Sequence, residues 1–163
     1  MIQPKTILIM RKLFYVLCTV IIFSNSSCDN AGADPVQCFT PPSPFSFELV
    51  DKTTKENLFT NGTYNSKDVV IKNLDDTSKA VKYDFISENN LNIIRLGYIG
   101  WQTETINYSI SIGNKNIFQF HVEAKRINAE CSHTEYSNFE VKNAAYELDQ
   151  TKGVYKILVD TKN

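Results

Sequence analysis

The sequence predicts an all-β domain, a single β-sandwich of about eight mostly antiparallel strands. Three observations carry this. Beyond Pro44, apolar residues alternate with polar ones at period two. Successive side chains of a strand point to opposite faces, so such a run buries one face and wets the other. Clusters of turn-forming residues separate the runs. No segment carries an apolar stripe at helical spacing, nor a capping box ahead of one. Short strands with frequent turns point to an immunoglobulin-like or transthyretin-like sandwich, with a barrel as the alternative.

Four runs alternate cleanly. Phe45, Phe47 and Leu49 flank Ser46 and Glu48; Val81, Tyr83 and Phe85 flank Lys82 and Asp84. Ile106, Tyr108, Ile110 and Ile112 form the third, and Phe118, Phe120, Val122 and Ala124 the fourth. Val69 to Lys72, Leu91 to Ile99, Phe139 to Leu148 and Val154 to Val159 also read as strands. Their alternation slips, which implies bulges or short central strands. Asp149 to Gly153 reads as a hairpin loop between the last two strands, and Asp51 to Lys55 as a similar turn near the first. Gly113 to Asn116 and Asp75 to Ser78 are further breaks.

Upstream of this domain the composition changes. Leu13 to Phe23 is apolar, and Arg11 and Lys12 precede it. A helix needs about 20 apolar residues to cross a bilayer. A secretory signal needs only about 7–15 behind a positive segment. Met10-Arg11-Lys12-Leu13 is the usual opening of such a signal, so Met10 is an alternative start to Met1. Ser26 and Ser27 then lead directly to Cys28, and Asp29 opens a polar stretch.

This arrangement resembles the lipid-attachment site of a bacterial lipoprotein, in which Cys28 would carry a diacylglyceryl group and the signal, residues 1–27, would be cleaved away. Asn25 stands where the family pattern has Leu or a branched residue, and looser versions occur in lipoproteins of Bacteroidota. Phe45 to Tyr64, with Asn57-Leu58-Phe59-Thr60-Asn61-Gly62-Thr63-Tyr64, is similar to small Bacteroidota lipoproteins. So is Tyr146-Glu147-Leu148-Asp149 followed by Gly153-Val154-Tyr155. The resemblance implies membrane attachment, carries over no functional residue apart from Cys28, and implies no activity. A plain secreted protein with Cys28 in a disulfide is the alternative.

Cleavage before Cys28 would leave 136 of the 163 residues, enough for one domain with a real core. Lys5, Arg11 and Lys12 would leave with the signal, so 17 basic residues fall to 14 against 18 acidic, a net charge of −4. A mildly acidic surface without a Lys/Arg cluster argues against a nucleic acid as partner. Residues 28–44 read as a tether, rich in turn formers and stiffened by Pro41, Pro42 and Pro44. Cys18 lies within the signal, which leaves Cys38 and Cys131 to form a disulfide in an oxidising compartment or to stay as free thiols.

Candidates for chemistry are few. Cys131-Ser132-His133 is weak as a metal motif, because zinc sites use several ligands at short spacings. His121 falls on the polar face of its strand. Asp75-Asp76 reads as a solvated turn, without a second carboxylate placed across a cleft. There is no nucleophile elbow, zinc-helix motif or phosphate loop. Asn61-Gly62-Thr63 and Asn107-Tyr108-Ser109 match the glycosylation sequon, which would be coincidental in a bacterial lipoprotein. No catalytic, cofactor-binding or metal site is therefore assigned.

One run could bind something: Gly97-Tyr98-Ile99-Gly100-Trp101, with the chain's single Trp. Tyr98 and Trp101 could stack on a sugar or fill a partner's pocket. The alternative, and the commoner fate of aromatic residues, is that Trp101 joins Ile99 in the core. The expected function is a non-catalytic binding or structural accessory of the cell envelope, anchored in a bilayer and in contact with an envelope protein or glycan. Outer membrane is expected over inner. An inhibitor or immunity partner of a secreted enzyme, and an enzyme with an unrecognised site, are the alternatives.

Overall fold

In a computed structural model, residues 38–162 are described, and they form two five-stranded sheets packed face to face. The strands are β1 (Cys38–Phe39), β2 (Phe45–Asp51), β3 (Val69–Asn73), β4 (Asp84–Ile86), β5 (Ile93–Leu96), β6 (Glu104–Ile112), β7 (Lys115–Ile127), β8 (Cys131–Lys142), β9 (Ala145–Asp149) and β10 (Val154–Val159). One sheet runs β1-β8-β7-β6-β3 and the other β4-β5-β2-β10-β9. Pairing is antiparallel except for β1 with β8 and β2 with β10. The all-β sandwich is therefore the fold, with ten strands described. The expected signal segment, Cys28 and residues 29–37 lie outside the described residues.

The core is what the alternation dictated. Phe47 and Leu49 of β2 meet Phe118, Phe120 and Val122 of β7, and Ile94, Ile110 and Ile157 complete the layer, all fully buried. Each such side chain contributes roughly 1.5–3 kcal/mol relative to leaving it in water. β2 and β7 are the middle strands of their sheets, and their inward-facing residues are buried.

Several expectations change in detail. Phe139 to Leu148 is two strands: the chain turns at Asn143, with φ 69°, and passes from one sheet to the other. β8 also reaches back through a polar stretch to Cys131. Around Val81 to Phe85 only Asp84–Ile86 pairs fully, with β5, and Ala80 makes a single bridge to Lys72. Leu91 to Ile99 shortens to β5, because Asn92 has φ 48° and the Gly97 to Trp101 segment turns away.

The end of the expected tether belongs to the domain. Cys38 and Cys131 form a disulfide with Cα atoms 4.5 Å apart, and β1 pairs with β8 in register beside it. Thr40 N–H donates to the Ser132 carbonyl at 2.8 Å, and Tyr136 Oη donates to the Ser43 carbonyl at 3.2 Å. Pro42 is buried. Residues 38–44 are thus a strap along β8, because the bridge and these bonds supply the partners that a free tether would lack.

The two expected turns are present. Gly153, at φ 64°, closes the β9–β10 loop with its N–H on the Asp149 carbonyl at 2.8 Å. After β2, Asp51 Oδ1 accepts from the N–H groups of Thr53 and Thr54, both at 2.8 Å, and Oδ2 from Thr161 Oγ1 at 2.5 Å. The bond from Thr161, then those from Thr54 and Thr53, hold its carboxyl at about 2 against an ordinary 3.8. A depressed carboxyl stabilises the fold above its unfolded pKa, and that contribution is lost as pH falls through about 2. Asp51→Asn, which mimics the protonated acid, should therefore lower the denaturation midpoint at neutral pH. The gap to wild type should close in strong acid, and a gap independent of pH would show that the charge is not what matters.

Candidate binding site

A groove of about 680 Å³ lies on the side of the sandwich where β8 and β9 meet. Phe45 and Ser46 of β2, Tyr136 and Phe139 of β8, Leu148 of β9 and Tyr155 of β10 line it, with Gln150 and Lys152 from the β9–β10 loop. Its rings are interlocked. Phe139 stacks on Tyr155 at 4.6 Å between centroids, and Phe45 meets Tyr136 edge-on at 5.0 Å. Tyr146 packs against both Phe139, at 5.5 Å, and Tyr155, at 5.9 Å. Such pairs fix each other's orientation, so the walls are preformed.

The chemistry of this groove is apolar with a few polar handles. Among the described residues no Asp, Glu, His or Cys lines it. Burial raises the Tyr136 phenol above its ordinary pKa, with Glu104 adding to the effect. Burial also raises the Tyr155 phenol, with Tyr146 adding. Both therefore remain neutral hydroxyls at physiological pH and supply hydrogen bonds rather than charge. Size and composition suit a binding site.

Among the described residues, backbone without a strand partner borders the groove. β9 is the last strand of its sheet, and β8 is covered on its outer side by β1 only at Cys131 and Ser132. Asn138, with φ 53°, sits where the pairing of β8 with β7 slips, so a bulge bends this open edge. Leu148 and Tyr146 of β9 are each more than two-fifths exposed. Glu135, Glu140 and Lys142 on β8 and Glu147 on β9 place charges along both edges. Edge charges of this kind block indiscriminate strand pairing.

A second surface carries the residues singled out from sequence. Tyr98 is 54% exposed and Trp101 53%, whereas Ile99 between them is in the core. Trp101 is thus outside the core, contrary to the commoner fate. It stacks on Phe39 at 6.0 Å, and the Arg126 guanidinium lies 5.0 Å from the centre of the Phe39 ring. Arg126 Nη1 donates to the Thr40 carbonyl at 3.1 Å and to Thr134 Oγ1 at 3.0 Å, which ties the strap to β7 and β8.

Gly100 makes this turn possible. Its φ is +90°, and a Cβ there would stand 2.7 Å from Tyr136 Oη and 2.8 Å from Thr134 Cγ2. The close approach lets Thr134 Oγ1 donate to the Gly100 carbonyl at 2.7 Å, and the Ile99 carbonyl, 3.2 Å from Tyr136 Oη, shares that hydroxyl's single proton with the Ser43 carbonyl. Gly100 N–H in turn donates to Glu104 Oε1 at 2.7 Å.

The remaining candidates are local. His121 Nδ1 bonds Asn107 Oδ1 at 2.6 Å, and Asn107 Nδ2 donates to Asp75 Oδ2 at 2.8 Å. His133 Nδ1 bonds the Cys131 carbonyl. Cys131 is in the disulfide and cannot ligate a metal. Among the described residues no group of three His, Cys, Asp or Glu side chains could hold a metal ion. Sequence reasoning missed the groove: its lining comes from segments far apart in the chain, and only the aromatic content of Phe139 to Tyr155 hinted at it. No family model, no curated protein and no solved structure matches this chain.

Proposed function

We propose that this chain is a bacterial envelope lipoprotein of the Bacteroidota type, anchored by acylated Cys28, whose sandwich binds an extended segment of another envelope protein. It is a non-catalytic module, and the outer membrane is its place. The observation that carries the binding role is the aromatic groove flanked by two unpaired strand edges. A segment added along such an edge gains main-chain hydrogen bonds, and its alternate side chains drop into the groove for specificity. An inhibitor or immunity partner would use the same open edges, with a secreted enzyme as the bound protein.

Two measurements test this. Intact mass of the processed protein should show an acylated N-terminal Cys28, and Cys28→Ser should abolish it. A photoreactive phenylalanine at position 148, irradiated in native envelopes, should give an adduct that maps to one extended segment of a single protein. The same probe at Val70, on the far edge strand β3, should not give that adduct. No adduct at 148, or identical adducts at both positions, would remove the groove from the account.

A further inference from the structure

We propose that Phe39, Tyr98 and Trp101 form a platform that beds into the headgroup region of the bilayer holding Cys28. The proposal rests on the lipid-anchor reading but not on the peptide groove. All three rings are more than half exposed; Phe39 stacks on Trp101, and Tyr98 lies three residues before Trp101 in the same turn. Phe39 and Trp101 are held in place: Gly100 sets the turn, Phe39 follows the disulfide, and Phe39 stacks on Trp101. Aromatic side chains with a polar edge favour the membrane–water boundary, where the ring is shielded and the N–H or O–H stays wet. Trp101 Nε1 reaches only the Gly97 carbonyl, at a long 3.4 Å, so its N–H has little to lose by turning to a lipid ester or phosphate. Arg126, against the Phe39 ring, adds a cation suited to phosphate.

The position of the platform selects this occupant. Phe39 immediately follows Cys38, and only residues 28–37 separate the anchor from it. The eleven steps from Cys28 to Phe39 reach at most about 40 Å fully extended. The platform therefore stays within that distance of the bilayer. At the resulting effective concentration, an affinity too weak to hold a free domain suffices to orient a tethered one.

Trp101 is the chain's single Trp and reports the contact directly. The full acylated protein would be reconstituted in phosphatidylcholine vesicles with bromine on the upper acyl carbons. Trp101 should lose most of its emission relative to the same vesicles without bromine, and in those unbrominated vesicles its emission should lie to the blue of the unacylated protein in buffer. Tyr98→Ser and Phe39→Ser should each recover part of the emission; Tyr98→Ser leaves the strap untouched. A protein shown by mass to be acylated, but with Trp101 unquenched, would overturn the platform and leave the anchor reading intact. Quenching unchanged in both variants would also overturn it, because tethering alone would then account for the signal. A processed chain without acyl groups would remove the anchor reading and the platform together.

Discussion

Phe47→Ala is expected to destabilise the domain by about 3–5 kcal/mol. That is a large fraction of the roughly 5–15 kcal/mol that holds a typical domain together. Phe47 is fully buried on the central strand β2, opposite Ile94 of β5 on one side and Tyr155 of β10 on the other. Its ring lies 5.1 Å from Phe118 and 5.2 Å from Phe120, both on the facing sheet. The substitution thus removes the side chain between two neighbours of its own sheet and two ring contacts between sheets. The cavity cannot close cheaply, because β7 is paired on both sides by β6 and β8 and cannot move inward alone. Phe45 and Tyr155 also wall the groove, so weaker binding should accompany the lost stability. The check is a denaturant titration in which the midpoint falls and the slope is unchanged. Val70→Ala, on a half-exposed edge position, should stay within about 0.5 kcal/mol of wild type. A loss below about 1 kcal/mol at Phe47 would mean that the two sheets are not joined there.

The parts of the fold that were legible are those with one wet face and one dry face. Ile106 and Ile110 of β6, and Phe118, Phe120 and Val122 of β7, point inward as their spacing demands. β8 was half hidden because Glu135, Ser137 and Asn138 are exposed while Thr134 and Tyr136 are only partly covered, so no strong alternation marks its first half. β9 was joined to β8 because nothing in the local pattern announces a change of sheet; Asn143 does so through its backbone angle alone. The exposure of Trp101 could not be read either. Its stacking partner, Phe39, stood in what read as a tether, and only the Cys38–Cys131 bridge brings the two together. That bridge was expected by elimination, since two cysteines remained once the expected signal and Cys28 were set aside.

Loss of the Cys38–Cys131 bridge should be the other large effect. The two residues are 93 positions apart, and the chain-entropy model gives about 4–5 kcal/mol for a loop of that size. Removing native bridges from small exported domains typically costs about 2–5 kcal/mol. The local contacts cannot replace it. β1 has two paired residues, and beyond them the strap is held by Thr40 N–H on Ser132, Arg126 on Thr40 and Tyr136 on Ser43. These are exposed or part-exposed bonds, each of modest net value. Reduction should therefore free residues 38–44, separate Phe39 from Trp101, and uncover the first part of the β8 edge. The wild-type denaturation midpoint should fall on adding a reductant, while the Cys38→Ser, Cys131→Ser double variant should start low and not respond. Trp101 emission should shift to the red in both reduced wild type and variant as Phe39 leaves its ring. If reductant leaves the wild-type midpoint unchanged, with complete reduction verified by thiol labelling, the strap is held by its hydrogen bonds and the bridge contributes little to folding.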